Sequence, residues 1–216
     1  MKKKLVAVVV CAMLIVGAVI GGTIAYLQDK TDEVVNTFTV GKVKITLDET
    51  GVDEDGVAIP NAPRNNGNNY KLMPGHNYVK DPTVHVLANS EECYVRMFVT
   101  INLQNELDAI FAGQDIAGDL TAIFNGYDPA IWEIVDANPE IVDNTRTYEF
   151  RYYKTVAKAA EDQDLEDLFT DFTVPGFLTN EDLAQLTDLE ITVIAEAIQA
   201  DGFETADDAW AAFAAK

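Results

Sequence analysis

Cysteine and histidine are almost absent from this chain, with two of each in 216 residues. Cys11 sits inside an N-terminal apolar run, which leaves Cys93 alone in the remainder. One cysteine cannot close an internal disulfide, so a disulfide-stapled module is excluded. A small apolar side chain buried in a strand is the economical role for Cys93. His76 stands beside a Pro-Gly turn and His85 in an alternating apolar segment. They do not form the H-E-x-x-H pair, whose spacing sets two imidazoles on one metal. The strained G-x-S-x-G turn, the phosphate-cradling glycine loop and the dinucleotide glycine pattern are missing as well. Carboxylates are so abundant that no pair of them is informative. A catalytic site needs named groups with mutual geometry, and the sequence reads as non-enzymatic.

Positive charge is scarce too: 15 Lys+Arg stand against 36 Asp+Glu, a formal net charge of −21. Such a surface excludes nucleic acid as a partner, because phosphate binding needs clustered cations. Three of those cations are Lys2, Lys3 and Lys4, followed by an apolar run from Leu5 to Ile20 and then Gly21-Gly22-Thr23-Ile24-Ala25. A basic start, an apolar stretch and small residues at −3 and −1 constitute a secretory signal peptide. Thr23 and Ala25 fill those positions, so cleavage is expected between Ala25 and Tyr26. The competing reading is an uncleaved anchor, but a span needs roughly 20 apolar residues, and Gly17, Gly21 and Gly22 weaken this one. Cys11 lacks a small residue just ahead of it and is no lipid attachment site. Cleavage removes three lysines and no acid, so the mature chain carries 12 Lys+Arg against 36 Asp+Glu, a charge of −24. Membrane contact is expected only through the signal peptide before cleavage.

Nearly half the residues are apolar, which is enough to build a core, and about 190 mature residues fit one domain. The organisation expected is a signal peptide over 1–25, an N-terminal extension over 26–37 and a folded domain over 38–216. Residues Val34 to Leu47 alternate as a strand whose phase shifts at Gly41, as at a bulge. Asp48 to Asn69, rich in Gly, Asn, Asp and Pro, reads as a mobile loop. Met73-Pro74-Gly75 suits a type II turn. Val84 and Val86 mark a strand that Pro82 confines to its start, and Cys93 to Ile101 alternates over nine residues. Ile131–Val135, Thr147–Tyr153 and Leu189–Ile198 are further strands. Leu107, Ile110 and Phe111, then Leu165, Leu168 and Phe169, follow helical spacing. A helix over 180–186 is capped by Thr179 or Asn180, and Thr205 caps a terminal helix with Ala206, Trp210 and Phe213 on one face. The fold class is mainly β: a jelly-roll-like β-sandwich with inserted short helices and a C-terminal helix.

Asp53 and Asp55, in the polar loop, are the candidate calcium ligands, without the spacing of a helix–loop–helix calcium site. A solvated acidic loop is the simpler account, and no other metal or cofactor is expected. The chain ends without a sorting pentapeptide, an apolar span or a basic tail.

The junction Gly21-Gly22-Thr23-Ile24-Ala25-Tyr26-Leu27-Gln28-Asp29 resembles that of the TasA–camelysin family of secreted bacterial matrix proteins. The likeness continues through Asn36-Thr37-Phe38-Thr39-Val40-Gly41 and Val43-Lys44-Ile45, then Leu72-Met73-Pro74-Gly75 with Lys80-Asp81-Pro82. It resumes over Ser90–Val99 and over Ile191–Gln199 with Ala200-Asp201-Gly202-Phe203, while the middle, 103–187, has no counterpart. The resemblance implies a jelly-roll-like domain, export through a dedicated signal peptidase, and assembly with itself or sibling subunits into biofilm matrix fibres of a Gram-positive bacterium. It also implies that the segment freed by cleavage completes a neighbour's sheet by strand addition. The expected assembly segment is Tyr26 to Phe38, with Tyr26 and Leu27 at its start and Val34, Val35 and Phe38 as apolar anchors. Members of the family also carry a metallopeptidase label, for which only His76 and His85 would supply imidazole ligands. A secreted metallopeptidase and a monomeric adhesion module are the alternatives.

Overall fold

The computed structural model describes residues 41–114 and 123–215. The expected signal peptide, its expected cut between Ala25 and Tyr26, and the expected assembly residues Tyr26, Leu27, Val34, Val35 and Phe38 lie outside the described residues, as does the part of the strand expected over Val34 to Leu47 that precedes Gly41.

Among the described residues ten strands and three helices follow in order: β1 (Ile45–Asp48), β2 (Asn77–Val79), β3 (Thr83–Val86), β4 (Cys93–Ile101), α1 (Gln104–Phe111), β5 (Phe124–Asn125), β6 (Trp132–Ile134), β7 (Arg146–Tyr152), β8 (Gln163–Asp164), β9 (Asp171–Thr173), α2 (Asn180–Gln185), β10 (Ile191–Gln199) and α3 (Ala206–Ala214). The fold is mainly β and antiparallel, as the alternation predicted. One sheet has the order β10-β4-β7-β6; the others are β1-β3-β8 and β2-β9-β5. The two smaller sheets continue into each other. Lys80 N–H donates to the Thr170 carbonyl and Leu168 N–H to the Pro82 carbonyl, so the ladder bridges the bend at Pro82. β2 with β3, and β8 with β9, are thus two halves of two bent strands. The nested pairing of early with late strands is jelly-roll-like.

Alternation decides the core. Cys93, Val95, Met97, Val99 and Ile101 are buried along β4, and Tyr148, Phe150 and Tyr152 along β7. Across the core stand Val84 and Val86 of β3, Tyr78 of β2 and Phe172 of β9, joined in one cluster with Phe124 and Trp132. Trp132 is fully buried and its indole N–H donates to the Glu166 carbonyl at 2.9 Å, which satisfies its one polar atom.

The helices follow their caps. Thr179 and Asp182 exchange hydrogen bonds in a capping box at α2, and Thr205 Oγ1 accepts from Asp208 N–H at α3. α3 lies on the outer face of the large sheet, with Trp210 and Ala209 against Ile198 and Tyr94. Buried Arg96 ties it down: its guanidinium lies 4.2 Å from the Trp210 ring and donates twice to Glu196.

One expected helix is absent. Leu165, Leu168 and Phe169 are all buried, but in an extended connection between β8 and β9. Leu165 N–H donates to the Val84 carbonyl, so the β3 edge claims the backbone that a helix would have used. Spacing of i, i+3, i+4 also fits an irregular chain lying on a core, and tertiary pairing overrides it. The loop expected to be mobile is instead fastened, as described next.

Candidate functional site

The two sheets do not close along one side. β10 ends the large sheet and β1 ends the smaller one. Ala200 N–H donates to the Glu92 carbonyl and Asn102 N–H to the Glu190 carbonyl. In an antiparallel ladder this sets the even-numbered residues of β10 in hydrogen-bonded pairs with β4. The odd-numbered Ile191, Val193, Ala195 and Ala197 therefore aim their backbone N–H and C=O groups away from β4. β1 repeats the pattern: Leu87 N–H donates to the Lys44 carbonyl, so Val43, Ile45 and Leu47 aim theirs away from β3. Among the described residues, the next in that series, Glu49, is engaged, exchanging two 2.9 Å bonds with Asn65.

The same odd-numbered residues carry the core-facing side chains, and these are incompletely covered. Val193, Ala195, Ile45 and Leu47 are half-buried, whereas their ladder partners Val99, Met97, Val86 and Val84 are buried to within 1% of completely. Between the two edges runs an open groove of about 870 Å³, walled by Leu47–Glu49 and Ile191–Ala195 and closed at its sides by the 65–70 loop and by Leu183 and Leu186. Its wall mixes apolar side chains (Leu47, Leu72, Ile191, Val193) with polar ones (Asn65, Asn68, Glu190), and among the described residues the outward backbone groups of Ile191, Val193 and Ala195 have no partner; a free strand edge is a surface that an added strand covers.

Besides Asp48 and Glu190, the groove is lined by a buried ion pair, Lys80–Glu49. Lys80 is 4% exposed and Glu49 9%, and the ammonium lies 3.0 Å from Glu49 Oε2 and 3.3 Å from Oε1. Both residues line the groove. Next to them Tyr70 donates its hydroxyl to the Val79 carbonyl at 2.9 Å. Burial, with the Glu49 charge adding to it, pushes that phenol far above its ordinary range.

The groove's side loop is held by Arg64. Its guanidinium donates to the carboxylates of Asp48 and Asp81, to their carbonyls, and to the hydroxyls of Thr50 and Thr83. Gly56, at φ +75°, lies so close over Tyr78 that a Cβ there would meet the ring at 2.3 Å; glycine is required by both the backbone and the space. His85 stands beneath the clasp, its Nδ1 2.7 Å from Asp164 and its Nε2 3.0 Å from Asp48. Burial would lower the imidazole, but the Asp164 and Asp48 contacts outweigh it and raise it above its ordinary value. Asp48 is likewise raised by burial and lowered more by His85 and Arg64, ending below the usual carboxylate range.

The remaining sequence candidates do not converge. Asp53 Oδ1 accepts from the N–H groups of Asp55 and Val57, and so shapes its own turn. His76 is exposed at the turn before β2. No group of three or more His, Cys, Asp or Glu that could hold a metal occurs among the described residues. A catalytic zinc takes three protein ligands and keeps a fourth position open; both nitrogens of His85 are already turned to carboxylates. The donors that are described do not fit a catalytic metal. No helix among the described residues is long and apolar enough to cross a membrane. The Lys80–Glu49 pair and the Arg64 clasp carry no sequence signature, since their partners lie 31 and 14–19 residues away.

Fold and groove define a mainly β protein with an open groove beside the end strands β1 and β10. The family resemblance is borne out at the N-terminus: residues 1–56 match the family model described as camelysin metallo-endopeptidase. No curated protein and no solved structure matches the chain.

Proposed function

We propose that this protein is a secreted structural subunit, a fibre or accessory component of a bacterial matrix or cell surface, which assembles by accepting the N-terminal segment of another copy or a sibling subunit. Residues 1–25 direct export and are cut by a signal peptidase after Ala25, freeing Tyr26 to Phe38 as the donor. One observation carries this reading: β10 and β1 present outward-aimed backbone groups and half-covered core side chains on the two walls of a single groove. An inserted strand satisfies the backbone groups and buries the apolar row together.

The test deletes residues 26–33 from the mature protein and examines it for fibres by electron microscopy. Loss of fibres with an unchanged circular dichroism spectrum is the expected result; unchanged fibres overturn the donor assignment. Metal analysis by mass spectrometry with a casein-cleavage assay tests the peptidase alternative, and stoichiometric zinc with cleavage would replace the structural reading. A mature protein whose light scattering stays flat with concentration would point to a monomeric adhesion module instead.

A further inference from the structure

A neutral imidazole has one N–H and one bare nitrogen, and only the imidazolium donates from both. His85 turns both of its nitrogens to carboxylates, Nδ1 to Asp164 at 2.7 Å and Nε2 to Asp48 at 3.0 Å. Asp164 belongs to β8 and Asp48 to β1, so the ring bridges the two strands that flank β3. Both contacts are attractive only while the ring is charged. Once the proton leaves, one nitrogen presents a lone pair to a carboxylate, and that contact becomes repulsive.

The two carboxylates are unequally held. Asp48 Oδ1 also accepts from Arg64 Nε at 2.5 Å, and the Asp48 side chain is 25% exposed. Asp164 is 74% exposed and, among the described residues, has His85 as its one charged partner. A neutral ring therefore keeps its N–H on Asp48 and leaves Nδ1 bare toward Asp164, whose carboxylate turns to water at little cost. β8 is poorly placed to survive that loss. It pairs two residues, Gln163 and Asp164, with Val86 and His85. Its flanks are fastened by Leu165 N–H on the Val84 carbonyl, Asn89 N–H on the Ala159 carbonyl and Ala88 N–H on the Asp162 carboxylate. The other charged groups about the ring do not replace the contact: Arg64 and Asp81 are joined to each other, and Asp167 accepts from Thr83 Oγ1 at 2.6 Å. Across β1 the residue opposite His85 is Thr46, which carries no charge.

We propose that His85 is a pH-sensitive tie at the edge of the smaller sheet: as the imidazolium it holds β8 to β3 through Asp164, and its deprotonation frees Asp164 and opens residues 157–165 while Asp48 and the Arg64 clasp stay in place. Histidine suits this role because it changes charge near neutral pH, and the same two carboxylates raise its value above the ordinary one. The opening is local, drawn from a short edge strand and its connection rather than from the core. It does not depend on the groove or on what fills the groove.

The experiment measures hydrogen exchange by mass spectrometry in the chain of residues 26–216 and in its Asp164→Ala variant. The two are compared at equal pH over residues 157–163, whose intrinsic exchange rates the substitution leaves unchanged. The midpoint at which the His85 ring titrates is read separately from its ring protons by nuclear magnetic resonance. Below that midpoint the variant should exchange about three- to fivefold faster than the wild type, the size expected of an exposed charged pair. Above it the two should converge, because the wild type has then lost the same contact. The midpoint itself should fall in the variant, a shift that a merely structural role for Asp164 would not produce. If Asp164→Ala does not fold, as circular dichroism would report, the same comparison made with His85→Gln should show the same convergence. A difference of equal size on both sides of the midpoint, or none on either side, overturns the tie. Wild-type opening above the midpoint that appears over 45–48 in β1 instead of over 157–163 overturns the assignment to Asp164.

Discussion

Val193 stands directly across the β4–β10 ladder from Val99, on the same face of the same sheet, yet Val99 has no exposure and Val193 is half-exposed. The difference is one of position: β4 has a strand on each side, while β10 has β4 alone among the described residues. Val99→Ala should cost the unassembled protein on the order of 2 kcal/mol through lost burial and a cavity. Val193→Ala should cost less than about 1 kcal/mol, since less surface is lost. Urea denaturation of the two variants measures the gap, which should narrow in assembled material as the groove fills.

The hydrogen-bond phase of β10 predicts opposite outcomes for adjacent prolines. Ala195 aims its N–H away from β4, so Ala195→Pro removes no ladder bond and should leave the monomer folded while blocking the edge to an incoming strand. Ile194 faces β4, and Ile194→Pro should cost about 3 kcal/mol or more. Melting curves and fibre formation, taken together, separate the two.

Arg64 fastens the groove's side loop through several donors at once, which lysine cannot reproduce. Arg64→Lys should lower stability by about 1–3 kcal/mol. It should also speed amide exchange over residues 51–70 more than in β4 or β7, as mass spectrometry of exchanged peptides would report.

His85 gives the clasp a pH dependence of definite sign. Its folded value is raised above the ordinary value of about 6.5, so its contribution is complete below that pH and is lost as pH rises through the raised value. Asp48 acts oppositely: its folded value is depressed, so its contribution holds above the ordinary carboxylate range and is lost as pH falls through the depressed value. Stability against urea should therefore decline as pH rises above about 6.5 in the wild type, and that decline should be absent in His85→Gln.

Cys93 is fully buried, and burial with the nearby Glu92 charge pushes its thiol up to about 11. In a chain of residues 26–216, which lacks Cys11, a chromogenic disulfide reagent at pH 8 should leave Cys93 unmodified in the native state and titrate one thiol after unfolding. The rate of any native reaction should equal the opening rate of the core.

The long strands were legible because each has one wet and one dry face. Cys93–Ile101, Tyr148–Tyr152 and Ile191–Ala197 alternate in sequence and stand in the structure as read. Both helix caps were legible for a similarly local reason, a threonine followed three residues later by an aspartate. Leu165, Leu168 and Phe169 misled because a helical interval and an irregular buried turn share one spacing. The loop from Asp48 to Asn69 looked free because its composition is that of a loop. Its fastening comes from Arg64, whose partners are dispersed over Asp48, Thr50, Asp81 and Thr83.

What the sequence determined by itself is local: an acidic, cysteine-poor chain whose periodicity makes it mainly β, and an N-terminal stretch that matches a known family model. What only the tertiary structure decided is which strands became edges. Alternation records that a strand has a buried face but not how many neighbours it has, since backbone pairing is indifferent to side chains. The open groove between β1 and β10, and the pairing of Lys80 with Glu49 inside it, arise from residues brought together by the sheet order, and no local pattern in the chain encodes them.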